Sequence, residues 1–342
     1  MQTPKVYVVI LNWNGWADTI ECLESLLRST YRNFQVVVCD NSSSDGSVER
    51  IKAWAAGDLS LYLDRTNPLR GLSFPAVAKP LSCLHLRAGE GFGAGTGEGY
   101  PLVLIETGGN LGFAGGNNVG LRYALARDDF DFVWLLNNDT VVAPDALASM
   151  VESMAHRPDA GFCGAMLLDY SPPQAVQSYG GSTYNRWLAA PKSVGAGETL
   201  GPAIDEDTVS QGLDYVAGAS MLVPKRLLVE IGLMCEDYFL YFEEIDWFQR
   251  ARRRFRIAFS SRSRVYHKEG ASIGSSSVAA SRSKLSDFYL VRNKVLFTRK
   301  FFPLLLPVVI LSTLVVAVNR IRRGQADRVG IVFKGVLEGI RG

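Results

Sequence analysis

Three acidic positions stand where their side chains can reach a ligand. An apolar run at residues 132–136 leads straight into Asn137, Asn138 and Asp139, and another at 34–39 leads into Asp40. Strands of a parallel sheet present their carboxyl ends to a ligand crevice, where a carboxylate is costly unless it binds something. Either Asp alone also suits a turn. Together they suit a nucleotide on one side and, on the other, a hard divalent cation, Mg2+ or Mn2+, with its diphosphate. The third position is the cluster Glu243, Glu244 and Asp246, which opens a helical stretch. It reads either as a general base for an attacking hydroxyl or as a solvated helix start favoured by the helix dipole. His267 follows a short apolar run. No Ser-His-Asp or Cys-His arrangement points to a covalent intermediate.

These residues need a scaffold, and the pattern predicts one. Short apolar runs at 6–11, 34–39, 102–105 and 131–136 alternate with stretches of helical spacing at 20–27, 48–54 and 112–126. Such alternation predicts an α/β fold on a mainly parallel sheet. Asp18 to Glu21 reads as a capping box. Residues 57–101, rich in Gly and Pro, read as a loop insertion that is mobile at least in part. Its GEGFGA at 89–94 matches a dinucleotide-binding pattern only formally, because no helix-forming stretch follows. Further on, 144–156, 238–253 and 285–300 read as helices and 257–259 as a short strand.

The net charge of +2 conceals an asymmetry. Residues 1–247 carry 16 basic and 30 acidic side chains, whereas 248–342 carry 20 basic and 4 acidic. A basic rear suits an anionic membrane surface or substrate, and no nucleic-acid recognition motif accompanies it. Residues 301–318 carry no charge and as a helix would reach roughly 27 Å, just short of a comfortable span. Pro303 and Pro307 are expected to kink them. The reading favoured here is a tail that lies on or dips into a membrane, with a true span or a buried core helix as alternatives. Five scattered cysteines, with no CxxC pair, suggest a reducing compartment. The first apolar run is too short for a signal peptide. The expected location is therefore the cytoplasmic face of the cell membrane.

Five segments occur in the order VILNWNG, CDNSSSDGS, NLGFAGGNN, LLNNDT and YFEEIDW. They resemble a family 2 glycosyltransferase of the GT-A fold, close to bacterial rhamnosyltransferases, over about residues 5–56 and 102–300. The resemblance implies a GT-A domain at 1–290, with a nucleotide-sugar half at 1–140 and an acceptor half at 141–290, ahead of the 291–342 tail. LNND takes the place of the family's DxD metal motif, with Asn137 at its first position. Asp139 is then a metal ligand, His267 joins the metal or the diphosphate, and Asn138 or a water fills the vacant ligand place. Asp40 corresponds to the Asp that accepts from the pyrimidine N–H. Asn12, Asn14, Asn41 and Asp45 face the nucleotide, Gly115, Gly116 and Asn117 let backbone approach it, and Arg292 stands near it or at the membrane boundary. Glu244 corresponds to the general base, Glu243 lies beside it, and Asp246 orients it or binds the acceptor.

The implied activity is metal-dependent, inverting hexosyl transfer, first of all from dTDP-L-rhamnose, to a lipid-linked or cell-surface glycan. A UDP-hexose or UDP-galactofuranose donor is the alternative within the class. A non-catalytic nucleotide-sugar-binding or scaffold protein at the membrane is the alternative outside it. Processive relatives fit less well, because this chain lacks their QxxRW motif and several spans.

Overall fold

The computed structural model describes residues 3–201, 204–268 and 283–342. The chain opens with β1 (Val6–Asn12), α1 (Trp16–Leu26), β2 (Phe34–Asp40), α2 (Ser47–Ala56) and the single turn α3 (Arg70–Ser73). Next come β3 (Cys83–Arg87), β4 (Leu102–Glu106), α4 (Gly112–Arg127), β5 (Phe132–Asn137), β6 (Thr140–Val142), α5 (Ala146–Ala155) and β7 (Ala160–Asp169). The chain continues with β8 (Val176–Tyr179), β9 (Gly181–Asn185), β10 (Ala190–Ser193), α6 (Glu206–Gly212), β11 (Tyr215–Val216), β12 (Ser220–Pro224), α7 (Lys225–Ile231), α8 (Glu243–Ala251) and β13 (Arg256–His267). Three helices close the chain: α9 (Lys284–Phe301), α10 (Leu306–Arg322) and α11 (Val329–Arg341).

The main sheet runs β3-β4-β2-β1-β5-β12-β7-β13-β6, with β8 added beside β7. The first five strands are parallel. β12 enters antiparallel between β5 and β7, and β13 runs parallel to β7. Residues alternate between two cores, as a pleated strand covered on both faces requires. Val6, Val8 and Ile10 pack with α1, α2 and α5, while Tyr7 and Val9 pack with α4. Register brings Asn12 level with Asp40, and Leu11 level with Asn137, so the polar ends of β1, β2 and β5 share one edge.

Several local expectations are revised. Within 57–101, β3 forms the parallel edge strand beside β4. The segment is also fastened to α1: Glu24 accepts from Trp54 Nε1 at 2.8 Å and Val77 N at 2.7 Å, and pairs with Lys79. The Asp18–Glu21 capping box does not form, because α1 starts at Trp16 without a side-chain cap. Both acids instead hold Lys268 Nζ, at 2.5 and 2.6 Å. The expected 257–259 strand is 12 residues long, with register shifts that let it pair with β7 and β6. The expected 238–253 helix is broken, since residues 239, 241 and 242 all have positive φ. Pro303 and Pro307 open helical turns rather than kinking one, as a missing N–H allows at a helix start.

The tail folds back. Phe302 ends α9, and Arg320 near the end of α10 bonds Asp287 at the start of α9, so α10 runs antiparallel along α9. Val309, Thr313 and Ala317 form its buried stripe. Leu304, Leu311, Val315, Ile321, Phe333 and Leu337 are exposed. The 20-residue apolar helix at 303–322 is long enough to cross a membrane and is mostly unburied.

Candidate active site

Asp40 is buried at the end of β2, and its oxygens are engaged. Oδ1 accepts from Asn12 Nδ2 and Ser43 Oγ, each at 2.7 Å, and Oδ2 accepts from Ser43 N at 3.0 Å. A carboxylate can accept about four bonds, so one place stays open on Oδ2. Asn14 adopts a left-handed φ of 51° and its Oδ1 receives Ser44 N at 2.7 Å. Asp45 binds Ser47 N and Oγ at the entry to α2. Asn41 is a clamp: its Oδ1 receives Leu111 N at 3.0 Å, and its Nδ2 donates to Asn110 Oδ1 at 3.0 Å and to the Gly112 carbonyl.

The glycines of α4 allow close packing. A Cβ at Gly116 would lie 2.4 Å from Leu11 Cδ1, and one at Gly115 would lie 2.7 Å from Leu111 Cβ. Their small size lets the helix settle on the sheet and on its own entry loop. Asn117 donates to the Phe113 carbonyl within the same helix. Asn118, which the sequence did not single out, holds residues 234–236 through Met234 N and O and Glu236 Oε1.

At the end of β5 the two amides and the acid separate. Asn138 turns inward, its Nδ2 within 3.1 Å of Thr19 Oγ1 and 3.4 Å of Asn12 Oδ1. It ties β5 to α1 instead of filling a ligand place. Asp139 is 6% exposed, and its Oδ1 has no hydrogen-bond donor in line. His267 Nε2 lies 3.2 Å from that oxygen. Burial pushes the Asp139 carboxyl up, but the charges of His267 and Lys268 and a backbone hydrogen bond together hold it below the usual range.

Gln177, also unforeseen, orients the imidazole. Its Nε2 donates to the His267 carbonyl at 2.9 Å, which turns its Oε1 to His267 Nδ1 at 3.0 Å. Nδ1 then carries the hydrogen, and Nε2 faces the carboxylate. Two such acceptors face each other stably only with a proton or a metal cation between them. With the proton, His267 forms an ion pair with Asp139, and without it the same two atoms fit a metal cation. Among the described residues no cluster of three His, Cys, Asp or Glu side chains completes a cage. A hard cation can complete its shell with water and diphosphate oxygens.

The third acidic group lies on a strained loop. Phe239, Tyr241 and Phe242 have φ of 60°, 69° and 76°, a costly state for bulky residues that persists where the surroundings over-determine it. This loop meets the start of α4: Phe239 O accepts Phe113 N at 2.6 Å. Glu243 and Glu244 follow as the first residues of α8. Glu243 is 2% exposed, and its Oε2 is buried without a partner. Burial, then the neighbouring Glu244, pushes its carboxyl well above the ordinary range. Glu244 is half-buried, and burial pushes it up to about 7. Its Oε1 occupies the space that a Cβ at Gly218 would need, 2.2 Å away. The next residue, Ala219, accepts the Asn137 N–H at 3.0 Å. The Glu244 carboxyl thus lies over the turn that holds the end of β5.

Two predicted residues are engaged elsewhere. Asp246 is fully buried, with Oδ1 on Arg250 Nε at 2.7 Å and Oδ2 on Tyr238 OH at 2.9 Å and Lys300 Nζ at 2.6 Å. It anchors α8 to α9 and does not orient Glu244. Arg292 donates to the Asp237 carbonyl at 2.7 Å and to Asn293 Oδ1 at 2.8 Å, supporting the strained loop from beneath. Asn293 completes that support through the carbonyls of residues 238, 240 and 241.

A cavity of about 690 Å³ gathers Asn137, Gln177, His267, Gly218 and Glu244 on its walls. Polar groups converging in such a space, one of them an acid held near neutrality, mark a site for proton transfer to or from a ligand.

Comparison with known proteins places the chain in a family. Residues 97–284 match glycosyltransferase-like family 2, and residues 7–73 match glycosyl transferase family 2. The low-salt glycan biosynthesis hexosyltransferase Agl10 of Haloferax volcanii is 25% identical over 154 residues, 44% of this chain and 47% of that protein. The chain thus spans about half the length of that relative. The mannosyltransferase PcManGT of Pyrobaculum calidifontis, solved with GDP-Man and Mn2+, superposes with a TM-score of 0.53 at 14% identity, over 99% of this chain and 88% of that one. GalNAc-T7, solved with UDP, GalNAc and Mn2+, gives 0.51 at 15% identity, over 85% and 51%. At these identities the two structures establish the fold, which is GT-A.

Proposed function

The chain belongs to glycosyltransferase family 2, and on that premise we propose that it moves a sugar from a nucleotide-sugar donor to a glycan acceptor carried on a membrane lipid. The observation that carries this reading is Glu244, an acid held near neutrality in one cavity with the end of β5 and His267. In the proposed reaction Glu244 takes the proton of an acceptor hydroxyl. The hydroxyl oxygen bonds the anomeric carbon as the bond from that carbon to the diphosphate breaks, and the diphosphate leaves with the electron pair. The configuration inverts, and no enzyme–sugar bond forms.

Asp139 and His267 are the residues that would hold a divalent cation, and such a cation, when bound, neutralises charge on the departing diphosphate. Gln177 fixes the imidazole for that role, as outer hydrogen bonds do for metal-ligating histidines. The open place on Asp40 Oδ2 suits a pyrimidine N–H, with Asn12 and Ser43 holding the carboxylate still. dTDP-L-rhamnose is the first donor proposed, on the order of the five sequence segments, and a UDP-sugar the second. The exposed apolar side chains of α10 and α11, flanked by Arg and Lys, support a position on the cytoplasmic face of the cell membrane.

The test is radiolabelled transfer from dTDP-rhamnose, UDP-galactose, UDP-glucose and GDP-mannose to lipid-linked and alkyl-linked sugars, with and without Mn2+. Metal-dependent transfer from dTDP-rhamnose, abolished in Glu244→Gln, is the expected result. Transfer from a UDP-sugar alone would shift the donor. Nucleotide binding without transfer from any donor would leave a scaffold role.

A further inference from the structure

The cavity that holds Glu244 extends beyond the reacting groups. One end of its lining is polar, with Asn137, Glu244 and His267. Another part of the wall comes from the closing helices, where Val291 of α9, Val316 of α10 and Val332 of α11 face in. One turn along α9 from Val291 stands Lys294, on the same wall. A sugar-processing site does not need this valine-lined part of its wall to hold a sugar.

Lys294 differs from the other cation of this wall. Arg320 is tied to Asp287, which also holds Arg328. Lys294 is half-buried, burial pushes its ammonium below the ordinary lysine range, and no neighbouring charge opposes that. No ion pair of its Nζ forms among the described residues. An ammonium kept partly out of water with no counter-ion is unfavourable unless an anion joins it.

We infer that Lys294 binds the phosphate or diphosphate of a lipid-linked acceptor, whose hydrocarbon chain lies along the apolar wall of α9, α10 and α11. The acceptor sugar then reaches Glu244 while the anion rests on Lys294. The donor diphosphate belongs with Asp139 and His267. The inference rests on the proposed glycosyl transfer to a lipid-borne acceptor and names the chemistry by which that acceptor is held.

The experiment is calorimetric binding by the full chain in mild detergent, with farnesyl diphosphate, farnesol, inorganic diphosphate and dTDP as probes. Wild type should bind farnesyl diphosphate more tightly than farnesol or inorganic diphosphate. Lys294→Gln should weaken farnesyl diphosphate by about tenfold or more, as loss of one member of a desolvated charge pair does. Lys294→Arg should stay within about threefold, because the charge is kept. Both variants should bind dTDP as wild type does, which also shows that they fold. Equal binding of farnesyl diphosphate by wild type and Lys294→Gln, no binding by wild type, or farnesol binding as tightly as its diphosphate would each overturn the inference. A parallel loss of dTDP affinity would overturn it too, by placing Lys294 on the donor side. Sugar transfer by wild type is scored separately: its absence defeats the glycosyltransferase reading while the farnesyl diphosphate result still decides Lys294.

Discussion

Asp40 and the Glu243–Glu244 pair are acids taken wholly or partly out of water, and they are treated in opposite ways. Asp40 receives three hydrogen bonds from Asn12 and Ser43. Glu243 leaves an oxygen buried with no partner, and Glu244 is packed against the bare Cα of Gly218. The backbone follows the same division. Asp40 ends a regular parallel strand, whereas the glutamates follow three bulky residues of positive φ. A satisfied carboxylate is fixed before any ligand arrives and costs nothing further to use. An unsatisfied one raises its own proton affinity, as a group that must accept and release a proton at neutral pH requires. In the proposed reaction, binding and chemistry are thus separated by how completely each acid is hydrogen-bonded.

The sharpest way to break this contrast is at Glu244. Glu244→Gln should lower kcat by about a thousandfold with nucleotide affinity unchanged by calorimetry, while Glu243→Gln should cost less than about tenfold. A reversal of the two would assign the proton to Glu243. Gly218→Ala comes next, because its methyl must displace the Glu244 carboxyl. It should cost about a hundredfold in kcat with a circular dichroism spectrum like that of wild type, and full activity would show that Glu244 need not lie over this turn.

The pH dependence of stability sharpens the contrast. Glu244 has an ordinary value of 4.5 and is pushed up to about 7 by burial. Its protonated form is favoured on folding, so its contribution is full below pH 4.5 and is lost as pH rises through 7. Glu244→Gln should therefore gain on wild type by about 2 kcal/mol between pH 4.5 and 8 in urea unfolding, after discounting for partial exposure. Equal curves would mean that this acid is not strained. By the same logic wild-type kcat/KM should rise with pH through about 7. Asp40→Asn is the mildest case: dTDP or UDP affinity should fall by about tenfold, the worth of one hydrogen bond to a charged group.

Some of this was legible in the chain and some was not. The ends of β2 and β5, and the acids opening α8, were visible because apolar runs stop on polar residues. Asn138, Asp246 and Arg292 were assigned ligand roles and prove to be tied into the fold. A residue type cannot disclose which way its side chain turns, and Asn138 and Asp139 turn to different neighbours. Gly116 shows the same limit, since an absent side chain reads alike whether a ligand or Leu11 takes its place. Gln177 and Gly218 carried no signal, and Asn118, though inside the NLGFAGGNN segment, was not singled out. Their importance lies in partners distant in sequence, such as His267 for Gln177, 90 residues away. The strand at 83–87 was hidden by the Gly and Pro residues around it, and the capping box by Lys268, 250 positions from Asp18.

One feature of the sheet bears on how the molecule is made. Among the described residues β13 is the last strand, yet it is inserted between β7 and β6. β6 finds its strand partner only there, and His267 reaches Asp139 only from its final residue. On the ribosome, a nascent chain that stops short of β13 leaves one flank of β7 open and Asp139 without His267. Contacts across such sequence separations close late in folding, and an open strand edge invites foreign pairing meanwhile. Growing fragments of this protein therefore need protection until β13 has emerged.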